Sequence, residues 1–281
     1  MPKVPALPAL ADLVRRALDE DCIGDDVTAR LLGDEANKNA MAAVVAKQPG
    51  IFSGVAVIEA LGVCLPSIQF RASLVEGQAF LPKQEVATML GSRGQILTAE
   101  RTLLNFLTHL CGVATAARAF VDAVKPHKTR ILATRKTLPG LRDVQLAAVR
   151  AGGAFVHRRS LSDGILIKEN HQRYVPVKTL VERARATRSP LHRIEVEVQS
   201  FDELKSLEGI MPDVVMLDNF NDSTLAEAVR WINGRAEVEV SGNMTAERAQ
   251  KVAAAGADWI SAGGITHSVK SVDLSLDWHV P

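Results

Sequence analysis

The chain has 281 residues, with 33 Lys and Arg against 32 Asp and Glu, giving a formal net charge of +1. That length suits one large α/β domain or two of ordinary size, and the balanced charge excludes a general polyanion binder, which carries a basic excess. Hydrophobic residues at 47% can fill a sizeable core, while no apolar run approaches the ~18 residues of a membrane span.

The opening Met1-Pro2-Lys3-Val4-Pro5 is proline-rich rather than a charged-then-apolar signal, and residues 2–8 read as an extended arm. Cys22, Cys64 and Cys111 are odd in number and lack ligand spacing, so they read as buried thiols of a reducing, cytoplasmic setting. Residues 9–18 have helical apolar spacing through Leu10, Leu13, Val14, Ala17 and Leu18. The acidic groups at 19–21 and 25–26 do not match an EF-hand and read as a solvated loop and helix cap. Residues 40–46, 68–74 and 84–90 read as strands, 54–61 as a short helix, and Gly91 to Gly94 as a turn. A long helix is expected from Thr98, as N-cap, towards Val124. Gly112, Ala114, Ala116 and Ala117 would let something pack closely behind it. In that reading Arg101 falls in the first turn, where a cation opposes the helix dipole by roughly 0.3–1 kcal/mol.

From residue 130 onward short apolar runs alternate with helical stretches. Runs 130–134, 154–156, 164–167, 193–198, 214–217, 237–240 and 259–262 read as strands. Stretches 141–151, 175–187, 201–207, 223–232 and 245–255 read as helices. Strand–helix alternation means a parallel sheet, and charged or glycine-rich strand ends favour a barrel. The gap 158–163 is too short for a crossover helix. The strand ends carry Arg135 and Lys136, His157 and Arg158, Lys168, Glu197, Asp218, Ser241-Gly242-Asn243, and Gly263-Gly264. All would point to one rim of the sheet, where such folds bind ligands. Cations gathered there repel one another and call for an anionic ligand. Taken singly, each has a plain reading as surface charge, helix cap or turn. Glu195 and Glu197 alternate onto one face of their strand, so one of them could be a structural partner for a lysine.

Residues 134–137 (Thr-Arg-Lys-Thr), 139–142 (Pro-Gly-Leu-Arg), 148–153 (Ala-Val-Arg-Ala-Gly-Gly), His157-Arg158 and 166–171 (Leu-Ile-Lys-Glu-Asn-His) together resemble the quinolinate phosphoribosyltransferase family. The likeness continues through 24–28, 97–102, 195–198, 217–220, 239–242 and 266–268, covering nearly the whole chain in family order. It implies an N-terminal α+β domain, an open-faced sandwich, over 1–115, and an irregular seven-stranded α/β barrel over 116–269. The tail 270–281 is free to pack back on the first domain. It implies phosphoribosyl transfer from phosphoribosyl pyrophosphate to quinolinate, with loss of CO₂, by a Mg²⁺-dependent homodimer whose active sites are shared. Ser241, Gly242, Asn243, Gly263 and Gly264 would take the 5-phosphate. Glu197 and Asp218 would hold the ribose hydroxyls, directly or through metal, with Lys136 as a further catalytic residue. Arg135, Arg158 and a partner chain's Arg101 would clamp the two carboxylates, supported by His157 and Lys168. Two departures stand out: Ala-Phe-Val at 154–156, which would reshape the pocket floor slightly, and Gly264 in place of a frequent alanine. A molybdenum-transport-associated paralogue, a nicotinate-specific transferase and a catalytically silent sugar-phosphate binder remain alternatives at this point.

Overall fold

A computed structural model describes residues 7–279. Most of the expected arm lies outside them. Leu7 and Pro8, its last residues, instead open α1 (Leu7–Glu20), and proline is tolerated in a first helical turn. After two 3₁₀ turns come β1 (Asn39–Ala46), β2 (Gly50–Ile51), α2 (Val55–Cys64), β3 (Gln69–Ala72), β4 (Ala79–Phe80) and β5 (Glu85–Ser92). Helix α3 (Arg93–Ala123) follows with no intervening turn. Gly94 serves close approach rather than a turn, since a Cβ there would sit 3.2 Å from that of Ala36.

Thr98 therefore lies inside the helix, where its hydroxyl donates to Gly94 O at 2.9 Å and to Asp26 Oδ2 at 3.1 Å. Asp26 in turn accepts from the N–H groups of Thr28 and Ala29, as a cap should. Arg101 sits turns beyond the helix start, so the dipole argument against it does not apply. By length and composition alone α3 could cross a membrane, contrary to the expectation from sequence, but half of its apolar window is buried within the fold. Cys111 is buried and its thiol is pushed up to about 12 by burial, whereas Cys22 is exposed.

The second half gives β6 (Arg130–Ala133), α4 (Arg142–Ala151), β7 (Phe155–Val156), β8 (Ile165–Ile167), α5 (Glu169–Gln172), α6 (Val177–Thr187), β9 (Ile194–Val198), α7 (Phe201–Lys205) and β10 (Val214–Asp218). Then come α8 (Asp222–Ile232), β11 (Glu237–Ser241), α9 (Ala246–Ala254), β12 (Trp259–Ser261), α10 (Gly264–His267) and β13 (Leu274–His279). All seven strands read from the sequence are present. The chain divides into two compact units: Met1–Arg118 with Leu138–Gly153 and Ser268–Pro281, and Ala119–Thr137 with Ala154–His267. Segment 138–153, assigned by sequence to the barrel, thus belongs to the first unit.

The first unit holds an antiparallel sheet in the order β13-β1-β5-β3. Val44 of β1 lies opposite Leu276 on one side and Ala87 on the other. Helices α1 and α2 pack together, with Leu10, Val14, Leu18, Val57 and Leu61 buried. Burying such a side chain contributes about 1.5–3 kcal/mol. The small residues of α3 do admit close neighbours. A Cβ on Gly112 would strike Lys270 O at 2.6 Å, and Gly152 lies against Ala114 and Ala117.

The second unit is a parallel sheet in the order β7-β6-β12-β11-β10-β9-β8, curled into a half-barrel. Its first and last strands in sequence, β6 and β12, pair, whereas β7 and β8 end the order and leave a seam. The connection across that seam is a tight turn. Asp163 accepts from Arg159 N, Ser160 N and Ser160 Oγ at 2.8, 3.0 and 2.7 Å. No crossover helix fits in so few residues. In β9, Ile-Glu-Val-Glu-Val, every residue is buried. Alternation sends Ile194, Val196 and Val198 to one face and Glu195 and Glu197 to the other.

Candidate active site

Within the second unit the strands of the parallel sheet end together, and the ends carry the chemistry. Asp218 closes β10 in register with Ser241, which closes β11. Lys168 follows β8 as the N-cap of α5, its N–H donating to His171 Nδ1 at 3.0 Å. The His171 ring thus satisfies the N–H at the start of α5, a local reason for the histidine in the Lys-Glu-Asn-His run.

Lys168 Nζ makes an ion pair and hydrogen bond with Glu197 Oε2, whose residue is only 5% exposed. Burial pushes the Glu197 carboxyl above its ordinary range, and the Lys168 bond opposes that push. Asp218 Oδ2 accepts from Asn219 Nδ2 at 2.8 Å and from Gln199 Nε2 at 3.5 Å. The structure thus brings Lys168, Glu197 and Asp218 together, with the Asp218 charge acting on Glu197.

Beside them the loop after β11 is shaped for close approach. Gly242 has φ +99, and a Cβ there would land on the Asn219 side chain, so only glycine serves. Asn219 and Asn243 are themselves left-handed, at φ 59 and 42. Arg248 of α9 donates to the carbonyls of both Gly242 and Phe220 and ties the two loops together. Thr245 caps α9, accepting from Arg248 N at 3.2 Å. Arg248 escaped the sequence reading, because a guanidinium that serves backbone carbonyls carries no motif.

At the neighbouring strand ends, a Cβ on Gly263 would meet Lys136 Cδ and His267 Nε2, each at 3.1 Å. Thr266 Oγ1 donates to Lys136 O at 2.8 Å. Lys136, Gly263 and Gly264 are therefore one neighbourhood, joined by His267, which sequence reasoning placed in a family motif but gave no role.

The basic residues after β6 and β7 feel each other's charge. Burial pulls Arg158 below its ordinary value, and the like charge of Arg135 adds to the effect. Arg158 Nη1 donates to Gly164 O at 3.1 Å. The Glu195 and Asp163 charges act on Arg158 in the opposite sense, and like charges that oppose each other favour an anion between them.

His157 turns its Nε2 edge towards acidic partners. Its Nε2 lies 2.7 Å from Glu195 Oε2 and 3.4 Å from Glu239 Oε2, both buried on the inner face of the sheet. Of the two glutamates the sequence put on one face, Glu195 is thus the partner of a histidine and Glu197 that of a lysine. Burial drives the Glu239 carboxyl well up, and the Glu195 charge adds to that. Phe155 is half exposed, edge-on to Trp259 at 6.3 Å with Arg130 5.4 Å above its ring. With Val156 it lines a cavity shared with His157 and Arg158. Arg101 stands exposed on α3 in the first unit, and no residue among those described bonds its side chain.

Family models described as quinolinate phosphoribosyl transferase, N-terminal domain and C-terminal domain, match residues 26–111 and 113–277. A carboxylating nicotinate-nucleotide pyrophosphorylase of Mycobacterium leprae is 39% identical over 96% of this chain and 97% of its own. A decarboxylating quinolinate phosphoribosyltransferase of Nicotiana tabacum is 37% identical over 98% of this chain and 84% of its own. The solved nicotinate-nucleotide pyrophosphorylase of Francisella tularensis superposes with a TM-score of 0.91 at 36% identity, over 99% of this chain and 98% of that one.

Proposed function

The chain belongs to the quinolinate phosphoribosyl transferase family, and from that premise we propose how its own residues divide the work. The reaction moves phosphoribosyl from phosphoribosyl pyrophosphate to quinolinate and gives nicotinate mononucleotide, diphosphate and CO₂. The observation that carries the assignment is the Lys168–Glu197–Asp218 cluster at strand ends that also present Gly242 and Gly263.

In this reading the 5-phosphate sits against Ser241, Gly242, Asn243, Gly263 and Gly264, with Lys136 beside it. Phosphate at the last strand ends of a barrel is a recurrent arrangement. Glu197 and Asp218 face the ribose. As the ring nitrogen of quinolinate attacks the anomeric carbon and diphosphate departs, the sugar becomes oxocarbenium-like. Two fixed carboxylates stabilise that charge where it develops. Lys168 holds Glu197 in place and supports a substrate carboxylate. Arg135 and Arg158 bind the quinolinate carboxylates through charge-assisted hydrogen bonds of roughly 1.5–3 kcal/mol each. His157 supports them, its Nε2 edge already engaged below. The resulting pyridinium draws the electron pair from the C2 carboxylate, CO₂ leaves, and C2 takes up a proton.

Mg²⁺ belongs to the same proposal. Glu197 and Asp218 offer oxygen only, the donor type a hard cation takes, and Asp218 Oδ1 accepts no hydrogen bond from the described residues. They would hold the ion through the substrate, where it would screen diphosphate charge. The exposed Arg101 supports a homodimer in which each chain lends that arginine to its partner's site. A cytosolic setting fits a reaction between small, highly charged metabolites.

Purified protein given Mg²⁺, quinolinate and phosphoribosyl pyrophosphate should release CO₂ and form nicotinate mononucleotide. Folded protein that forms neither would sink the assignment. Mixing Arg101→Ala with Lys136→Ala chains should restore one competent site per mixed dimer. Activity no higher than the single variants would count against sharing.

A further inference from the structure

We propose that the interior of the second unit contains a divalent-cation site, distinct from the sugar site, made by His157 Nε2 and one carboxylate oxygen from each of Glu195 and Glu239. The ligand atoms of the three side chains lie within 4.8 Å of one another. Glu195 is 6% exposed and Glu239 2%. Each keeps its Oε1 without a hydrogen-bond partner among the described residues. Two buried carboxyl groups share one imidazole, with the Ser261 hydroxyl close to Glu239, and holding both ionised there is costly unless a further positive charge is supplied. A divalent cation bound to a neutral imidazole balances both at once.

The surroundings give such an ion a way in. A cavity of about 330 Å³ is lined by all three residues together with Arg193, Val214 and Trp259. Val214 and Trp259 begin β10 and β12, and Arg193 precedes β9. The cavity thus reaches the starts of β9, β10 and β12, and it is also lined by Arg158 beyond the end of β7, so it adjoins the carboxylate-binding arginine while Lys168, Asp218 and Ser241 stand outside it. One nitrogen and two oxygens suit Zn²⁺ or Mn²⁺ better than Mg²⁺, which prefers oxygen throughout. The charges of Lys168 and Arg158 act on Glu239 and Glu195 respectively and moderate the attraction.

Topology suggests what the ion does. His157 follows β7, the edge strand at the seam; Glu195 lies on β9 and Glu239 on β11. No backbone ladder joins β7 to β8. A cation on these three side chains would brace the free edge to two interior strands. This inference does not rest on the reaction assigned above and would stand if that assignment failed.

The test uses the metal-free chain without substrate, with Zn²⁺ as probe, by equilibrium dialysis and elemental analysis. One equivalent should bind, at least tenfold more weakly in Glu239→Gln and Glu195→Gln, and within twofold of native in Glu197→Gln and Asp218→Asn. At a hundredfold excess over Kd the native melting temperature should rise by roughly 5 °C, and that of Glu239→Gln should not. Zn-edge anomalous scattering from soaked crystals of the native chain should place the ion about 2.0–2.2 Å from His157 Nε2 and both carboxylates. Absence of stoichiometric Zn²⁺, loss of binding in Glu197→Gln rather than Glu239→Gln, or an anomalous peak elsewhere would each overturn the proposal. The native crystal decides the matter should the glutamine variants fail to fold.

Discussion

Among the described residues of the first unit the buried polar side chains are Ser53, Thr102 and Gln145; in the second they include Glu195, Glu197 and Glu239. Gln145 shows how the first kind is settled. It is fully buried, its Oε1 accepts from Leu138 N at 2.8 Å, and its Nε2 lies 2.9 Å from His109 Nε2. A neutral amide is satisfied by such bonds within the fold. A carboxylate is not settled so cheaply, because desolvation acts on its charge and must be met by a cation, a proton or a ligand. The buried amide of the first unit is therefore satisfied by folding alone. The second unit carries charge that its own packing leaves partly uncompensated, as a site built to take ligands does.

Separate measurements on each unit can break that contrast. The largest effect expected is on the first. Leu107 of α3 is fully buried beside Gly54, and Leu107→Ala should cost about 2–5 kcal/mol of stability. Denaturant unfolding should show the loss, while kcat of the remaining folded protein stays near native. A collapse of kcat at temperatures where the variant is folded would mean that packing around Leu107 sets the position of Arg101 on the same helix.

Next comes the reverse case. Glu197→Gln and Asp218→Asn should lower kcat by about 10²–10³, equivalent to 2.7–4 kcal/mol, with quinolinate KM and melting temperature little changed. Their carboxylates act where positive charge develops, in the transition state. A change confined to quinolinate KM would place both in the wrong pocket.

The arginine pair gives a slightly smaller effect. A site built for two carboxylates leaves a cation poorly matched when nicotinate binds, and water entering the vacant space softens the penalty. Nicotinate should bind at least roughly a hundredfold more weakly than quinolinate, near 2.7 kcal/mol. Arg158→Ala should narrow the gap by weakening quinolinate alone. Parallel calorimetric titrations of the two acids measure both. Affinities within a few-fold of each other in the native chain would favour a nicotinate-specific transferase.

The same contrast explains what the sequence revealed. Strands of the second unit were legible because buried parallel strands read as short apolar runs between helices, Ile194–Val198 and Val214–Asp218 among them. Strand-end residues were legible because the parallel sheet collects them at one rim. What stayed hidden depends on partners distant in sequence. Alternation put Glu195 and Glu197 on one face but could not say that one meets His157 and the other Lys168. Nothing in the residues around His157 indicated that it turns to the sheet interior. The start of α3 was misplaced because Thr98, with Glu100 after it, imitates a cap, while its hydroxyl is used within the helix and by Asp26.

The smallest effect separates the units by pH. His109, in the first unit, is held below its ordinary pKa by burial. Its folded form favours the neutral ring, so the unfolded chain binds the proton more readily. Above the unfolded value near 6.5 neither state is protonated, and the contribution to stability is fully present. As pH falls from there towards the lowered folded value, the unfolded state gains protons first and that contribution is lost. Below the folded value the loss is complete. Urea unfolding at stepped pH should therefore show stability declining below about 6.5, and His109→Gln should flatten the decline. Because the ring belongs to the first unit's hydrogen-bonded interior, kcat measured well inside the folded range should not follow the same profile. A pH dependence of stability that persists unchanged in His109→Gln would move the responsible proton elsewhere, and the carboxylates of the second unit would be the first place to look.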